Sequence, residues 1–134
     1  MLIDAVVAEL KSMYRPELEG TDAPVVRLSN ADIERWSADL AMPRAALYDL
    51  LALRLAHGFY QNEFPFSFCD CVVNDIHGVI TVADENRPDL FWSVFLAFDE
   101  GEYYHGNNRN EDPVAKYTRP LIAQIVEKHS QPPT

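Results

Sequence analysis

The run at residues 90–98 most constrains the fold, because every side chain in it except Ser93 is apolar. It is short and rich in aromatic and β-branched residues, a composition typical of strands. As a strand it is apolar on both faces, with these residues alternating between them: Leu90, Phe91, Trp92, Val94, Phe95, Leu96, Ala97 and Phe98. Such a strand must be covered on both sides, so the run predicts a central strand with helices on one face. A second copy of the chain is one possible cover for the other face, which predicts a possible homodimer.

Two further segments predict antiparallel partners for this strand. Residues 64–83 hold aromatic, thiol and β-branched residues on either side of a turn-like stretch at 74–78, a pattern that indicates a hairpin. After residue 98, Asp99-Glu100-Gly101 resembles a turn, and residues 102–105 return as a short edge strand. The sequence therefore predicts a small antiparallel β-meander of three to four strands.

Helical spacing of apolar residues appears at both ends of the chain. It predicts a first helix at 2–14 that stops before Pro16, a second helix capped by Ser29 or Asn30, and a third from Pro43 to Gly58. A polar loop follows at 106–112, then one short turn and a closing helix from about Pro120 to His129. Three N-terminal helices, a meander and a C-terminal helix make an α+β fold.

The length of 134 residues suits a single globular domain spanning 1–134, with 130–134 as a frayed tail. No apolar run approaches the roughly 20 residues of a membrane span, so no membrane association is expected. Asp4 stands where a secretion signal carries basic residues. Cys69 and Cys71 are the only cysteines, which excludes a disulfide framework and suits a reducing compartment. We therefore expect a cytoplasmic protein.

Charge is the strongest departure from average composition. Twenty-one acidic residues against eleven basic ones give a formal charge of -10. A field of this sign repels nucleic-acid phosphates and attracts basic partners. The composition thus disfavours a nucleic-acid ligand and predicts a basic protein partner.

The densest cluster of acidic and aromatic residues lies at 99–105. Carboxylates steer a basic partner, and tyrosines supply large, rigid contact areas of the kind found at binding hot spots. We therefore predict that the partner binds to these residues: Asp99, Glu100, Glu102, Tyr103, Tyr104 and His105. The function predicted is a small acidic protein-binding module, of the kind that immunity and antitoxin proteins present to basic targets.

Two alternatives from other functional classes remain. The first is a small-ligand-binding or hydrolytic domain with a pocket between sheet and helices, using Glu100, Glu102, His105 or Arg119, with Arg119 as an anion clamp beside Tyr117 and Thr118. The second is a helix-turn-helix regulator formed by residues 30–56. Arg44 and Arg54 are the only basic residues on the second helix of that unit, which argues against it.

Nothing in the sequence indicates a cofactor, a metal or a catalytic residue. Cys69, Cys71 and His77 lack the spacing and the fourth ligand of a structural zinc site. The glycines form no phosphate-binding loop, and the acidic residues do not follow the pattern of a calcium-binding loop. We therefore expect no catalytic, cofactor-binding or metal-binding residues, and an enzyme is disfavoured.

Overall fold

The computed structural model describes residues 3–106 and 109–129, and all regular structure in these residues is helical. The six α-helices are α1 (Ile3–Met13), α2 (Asn30–Leu40), α3 (Arg44–Tyr60), α4 (Phe66–Val82), α5 (Asp89–Asp99) and α6 (Arg119–His129). A 3-10 turn at Pro16–Leu18 follows α1, and a π-helical turn at Val114–Thr118 leads directly into α6. None of these helices is long and apolar enough to span a membrane.

The predicted α+β fold is wrong, because the described residues contain no strand and no sheet. The run at 90–98 is helix α5, the hairpin predicted at 64–83 is the single helix α4, and the edge strand predicted at 102–105 is an irregular loop. The helices predicted near both ends of the chain are present as α1, α2, α3 and α6. The frayed tail predicted at 130–134, and residues 107–108 of the predicted polar loop, lie outside the described residues.

The apolar residues of α4 repeat with the period of a helix. The buried ones are Phe68, Cys69, Val72, Val73, Ile76 and Ile80, which form one continuous face. The stretch at 74–78 resembles a turn because it contains Asn, Asp and Gly, yet Asn74 and Gly78 lie on the exposed side of the helix. Burial of this face outweighs the local turn preference.

Helix α5 buries Phe91, Val94, Phe95, Ala97 and Phe98 and leaves Ser93 and Leu96 exposed. Its N-cap is Pro88, which offers no capping side chain. The carboxylate of Asp49, on α3, instead accepts a hydrogen bond from the Phe91 amide at 2.9 Å. An acceptor from a distant part of the chain therefore satisfies an amide in the first turn of α5.

One hydrophobic core joins all six helices, and α3 lies at its centre, in contact with α1, α2, α4, α5 and α6. Large side chains that are almost fully buried fill it, among them Trp36, Tyr48, Phe59, Phe68, Phe91 and Phe98. The buried hydroxyl of Thr118 donates to the Ala97 carbonyl at 2.8 Å. This bond holds the residue just before α6 against the C-terminal half of α5.

Candidate functional site

The loop that follows α5 carries the acidic and aromatic residues singled out by the sequence. Asp99 ends the helix, Glu100 is its C-cap, and Gly101 is buried at the turn. A Cβ atom on Gly101 would lie 2.4 Å from Thr118 Oγ1 and 2.9 Å from the Phe66 ring, so only glycine fits without a shift of these neighbours. The turn thus packs tightly against Phe66 of α4 and against the π-helical turn, and it brings Glu102 to Asn74 on α4.

This arrangement creates a group of four carboxyl groups, Asp70, Asp99, Glu100 and Glu102, which we call the acidic end. Asn74 Nδ2, on α4, donates to Glu102 Oε2 at 3.0 Å and lies 3.3 Å from Asp70 Oδ1. Asp70 and Glu102 also interact electrostatically, and Glu102 raises the pKa of Asp70. Polar groups therefore join the α4 helix to the loop after α5, in addition to the packing of Gly101 against the Phe66 ring.

Protonation of Asp70 is the main electrostatic property of the acidic end. Burial raises the pKa of Asp70 to about 9, with further contributions from the hydrogen bond to Glu102 and from the negative charges of Glu102 and Asp99. The pair formed by Asp70 and Glu102 therefore retains a proton at neutral pH. Burial and the charges of Glu102 and Glu100 likewise raise the pKa of Asp99.

No basic side chain compensates these charges within the part of the chain that the structure describes. Asp70, Asp99 and Glu102 form no ion pair with a lysine or arginine, and Glu100 is paired only with His105, whose Nε2 lies 3.1 Å from Glu100 Oε2. Mutual repulsion among Asp70, Asp99 and Glu102 is therefore relieved by a proton and not by a lysine or arginine.

Aromatic rings follow the acidic end along the same loop and contact one another. The Tyr103 ring stacks on His105 with ring centroids 4.7 Å apart, and Tyr117 lies on His105 at 3.9 Å. Tyr104 lies beneath the guanidinium group of Arg109 at 5.1 Å. Tyr103 and Tyr104 remain 49% and 45% exposed, so both present a large apolar surface to solvent.

The structure thus brings the predicted residues at 99–105 into one region, although on a loop and not on an edge strand. Sequence reasoning missed Asp70 and Asn74, because both were assigned to a hairpin. Their spacing of four residues places them on one face of a helix, and that spacing was the available signal. Whether this region binds a partner stays a prediction.

A groove of about 970 Å³ runs between α5 and α6. The pocket expected between sheet and helices therefore lies between two helices, since no sheet is present in the described residues. Glu100 and Tyr117 line the groove, whereas Glu102 is directed to Asn74. The guanidinium group of Arg119 lies over the Phe59 ring at 4.5 Å, and Thr118 is buried against α5. The groove lining does not include Arg119, so the structure does not place the anion clamp of that alternative in this groove.

Residues 30–56 form helices α2 and α3, joined at Ala41, whose φ is 53°. Arg44 pairs with Glu85 at 2.9 Å, and Arg54 pairs with Glu63 at 2.6 Å and with Asp4 at 2.9 Å. Both arginines that a helix-turn-helix needs for phosphate contacts are therefore neutralised within the chain, which weighs against that alternative.

The two cysteines lie on α4 and are free thiols. They lie on a helix and not in the hairpin predicted at 64–83, and residues two apart on a helix point in different directions. Burial raises the pKa of Cys69, and burial together with the charge of Asp70 raises the pKa of Cys71 to about 11. Within residues 3–106 and 109–129 no group of His, Cys, Asp and Glu side chains is arranged to hold a metal ion.

Comparison with known proteins gave no match to a protein-family model, a curated protein or a solved structure.

Proposed function

We propose that the protein is a small acidic protein-binding module that binds a basic segment of a partner protein at the acidic end. The observation that carries this proposal is the convergence of Asp70, Asp99 and Glu102 without a lysine or arginine partner in the described residues, beside the exposed rings of Tyr103 and Tyr104. A lysine or arginine of the partner supplies the missing positive charge, and the tyrosines supply contact area.

The net charge of -10 supports the same proposal at longer range. It attracts a basic partner before contact and accelerates the encounter in low salt. An inhibitor of the immunity or antitoxin type would use such a surface to cover the anion-binding face of its target, because carboxylates compete there with phosphates. Of this proposal, the acidic end supports the chemistry of the partner surface, which is rich in lysine and arginine.

Binding of a cation to the acidic end is coupled to release of a proton. A guanidinium group beside Asp70 favours the ionised carboxylate and lowers the pKa of Asp70 from its value of about 9. Affinity for the partner is therefore expected to rise with pH between neutrality and about pH 9. A partner bound only by the tyrosines would show no such dependence.

The test is capture of partner proteins from native lysate, followed by quantitative mass spectrometry of salt-step eluates. Glu102→Lys is compared with Asp39→Lys, which makes the same change in net charge at an exposed position on α2. A basic protein that is retained by the wild type and by Asp39→Lys, but lost with Glu102→Lys, supports the proposal. Equal loss with both variants would show that only net charge matters, and would refute it.

A second measurement uses a defined probe, a fluorescent oligoarginine peptide, at several salt concentrations. Glu102→Lys is expected to weaken binding of the probe more than Asp39→Lys does, and this difference shrinks as salt rises. Tyr103→Ala is expected to weaken binding at every salt concentration, because the lost contact is apolar. A salt-independent effect of Glu102→Lys would contradict the electrostatic argument.

A further inference from the structure

Helices α5 and α6 each expose a face that no other described part of the chain covers, and the two faces line the groove between them. The apolar centre of this surface includes Leu96 and Leu121, which are 42% and 37% exposed. Since Thr118, just before α6, is bonded to Ala97 of α5, and Lys128 lines the groove together with Asp89, the two helices run in opposite directions along it.

Acidic side chains lie on the α5 wall of the groove, and lysine side chains lie on its α6 wall. The α5 wall carries Asp89 at its start and Glu100 at its end, about three turns or ~16 Å apart. The α6 wall carries Lys116 just before the helix and Lys128 in its last turn. Lys116 pairs with Glu111 at 2.5 Å, whereas Lys128 and Asp89 have no ion-pair partner in the described residues.

We propose that a second copy of this chain covers the groove, related to the first by a two-fold axis parallel to α5 and α6. This axis packs α5 of one protomer on α6 of its partner, and the four helices form a bundle across the interface. Because α5 and α6 are antiparallel, Asp89 then lies level with Lys128 of the partner subunit. Glu100 lies level with Lys116 of the partner subunit, and the exposed leucines meet at the centre.

The charge pattern selects this axis over the other face-to-face arrangement. A two-fold axis perpendicular to the helices brings α5 against α5 in opposite directions and places Asp89 against Glu100 of the partner subunit. It also opposes lysines on the two α6 helices. Both contacts are repulsive, so only the parallel axis matches acid with base at both ends.

The inference is independent of the proposed function, because it concerns a different surface that shares only Glu100 with the acidic end. A partner at the acidic end would bind to either protomer of the dimer. Loss of partner binding and loss of the dimer are therefore separable results.

The first test is the mass of the full chain in solution, measured by light scattering and sedimentation from low-micromolar to near-millimolar concentration. The wild type is expected to approach twice the chain mass of 15.2 kDa as concentration rises. Leu96→Glu is expected to remain monomeric. The matched control is Val82→Glu, which changes a residue that is 90% exposed on α4, outside the groove, and is expected to dimerise like the wild type.

The second test exchanges the charges. Asp89→Lys alone and Lys128→Glu alone each place like charges together twice in the dimer, so both proteins are expected to be monomers or much weaker dimers. Mixed in equal amounts, they form a heterodimer in which both pairs are again acid with base. Recovery of the dimer upon mixing supports the proposed axis, and it requires both variants to be folded.

Two results would overturn the proposal. One is a wild type that stays monomeric at every concentration, which would leave the groove to a helix of another protein or to an apolar ligand. The other is a dimer that persists in Leu96→Glu, or two charge variants that show no recovery when mixed, since the interface or the axis would then be a different one.

Discussion

Charged side chains serve opposite purposes in two regions of the molecule. Around α1, α2 and α3 each of three arginines binds acidic partners: Arg35 with Glu9, Arg44 with Glu85, and Arg54 with Asp4 and Glu63. We call this region the ion-paired side. At the acidic end, Asp70, Asp99 and Glu102 face one another without such a partner in the described residues.

The pKa values of the carboxyl groups show the consequence. Hydrogen bonds from Arg35 and Arg54 lower the pKa of Glu9 and Glu63, so these groups favour the folded state when ionised. Burial and neighbouring acids raise the pKa of Asp70 to about 9, so ionisation of that group opposes folding. Three arginines thus stabilise the ion-paired side, whereas no lysine or arginine pairs with Asp70, Asp99 or Glu102 in the described residues.

The largest effect is expected from Gly101→Ala. This substitution tests whether tight packing stabilises the acidic end, where the ion pairs of the other region are missing. The new methyl group would meet Thr118 Oγ1 and the Phe66 ring. We expect a loss of about 2–4 kcal/mol in the free energy of unfolding, measured by urea denaturation. Gly78→Ala is the control, because a Cβ there has open space within α4, and it is expected to be neutral or stabilising.

The next largest effect concerns the ion-paired side. Arg44 donates to both oxygens of Glu85 and to the Tyr48 hydroxyl, which itself donates to Glu85 at 2.6 Å. Arg44→Met leaves these partly buried acceptors without their cation and is expected to cost about 1–2 kcal/mol of the free energy of unfolding. Arg27→Met, at an exposed position without an ion pair in the described residues, should cost much less. Equal costs would remove the contrast between the two regions.

Replacement of the titratable group of Asp70 is expected to change the free energy of unfolding in the opposite direction, towards higher stability. Asp70→Asn keeps a donor for Glu102 and needs no proton uptake on folding, so the free energy of unfolding at pH 8 should increase by about 1 kcal/mol. Asp39→Asn, on the exposed side of α2, should change it little. A destabilised Asp70→Asn would mean that the protonated pair is not the state that the fold favours.

The two regions are also expected to differ in how their contributions to the free energy of unfolding depend on pH. The folded pKa of Asp70 exceeds the unfolded value of 3.8, so the folded state binds more protons between these values and stability falls as pH rises from about 4 to about 9. Glu9 and Glu63 have lowered pKa values, so their contribution is present above the unfolded pKa near 4.5 and is lost in more acidic solution. Denaturation of the wild type and Asp70→Asn across this pH range measures both slopes, and only the wild type should lose stability between pH 6 and 9.

The smallest effect is that of salt. Added salt screens repulsion at the acidic end as well as attraction on the ion-paired side, and the overall charge of -10 favours the first effect. We expect the wild type to gain a few tenths of a kcal/mol in the free energy of unfolding at high salt. The gain should be smaller in Asp70→Asn/Glu102→Gln, and an equal gain would place the repulsion elsewhere on the surface.

The helices at both ends of the chain were predictable because their apolar spacing agrees with clear stop signals, such as Pro16 after α1. The middle of the chain was not, because α5 is nearly all apolar and such a run is compatible with either a strand or a buried helix. Its start also depends on Asp49, a residue of α3, and this long-range contact has no local sequence signal.

The candidate site shows the same division. Residues 99–105 were visible as a cluster because they are consecutive, and they lie together in the structure. Asp70 and Asn74 join them only because α4 is a helix that passes beneath the loop. Because α4 was predicted as a hairpin, the sequence did not identify Asp70, the residue with the largest carboxyl pKa shift at the site.

The hydrogen bond from the Phe91 amide to Asp49 has a consequence for the order of folding. Helix α5 has no capping side chain at its own N-cap, and an isolated helix of eleven residues is marginal in water. It gains its acceptor only by docking on α3, which is synthesised earlier and is available when residues 89–99 leave the ribosome. We therefore expect α5 to form by docking on α3 and not in advance of it, so that the most apolar segment of the chain is exposed to the cell only briefly during synthesis.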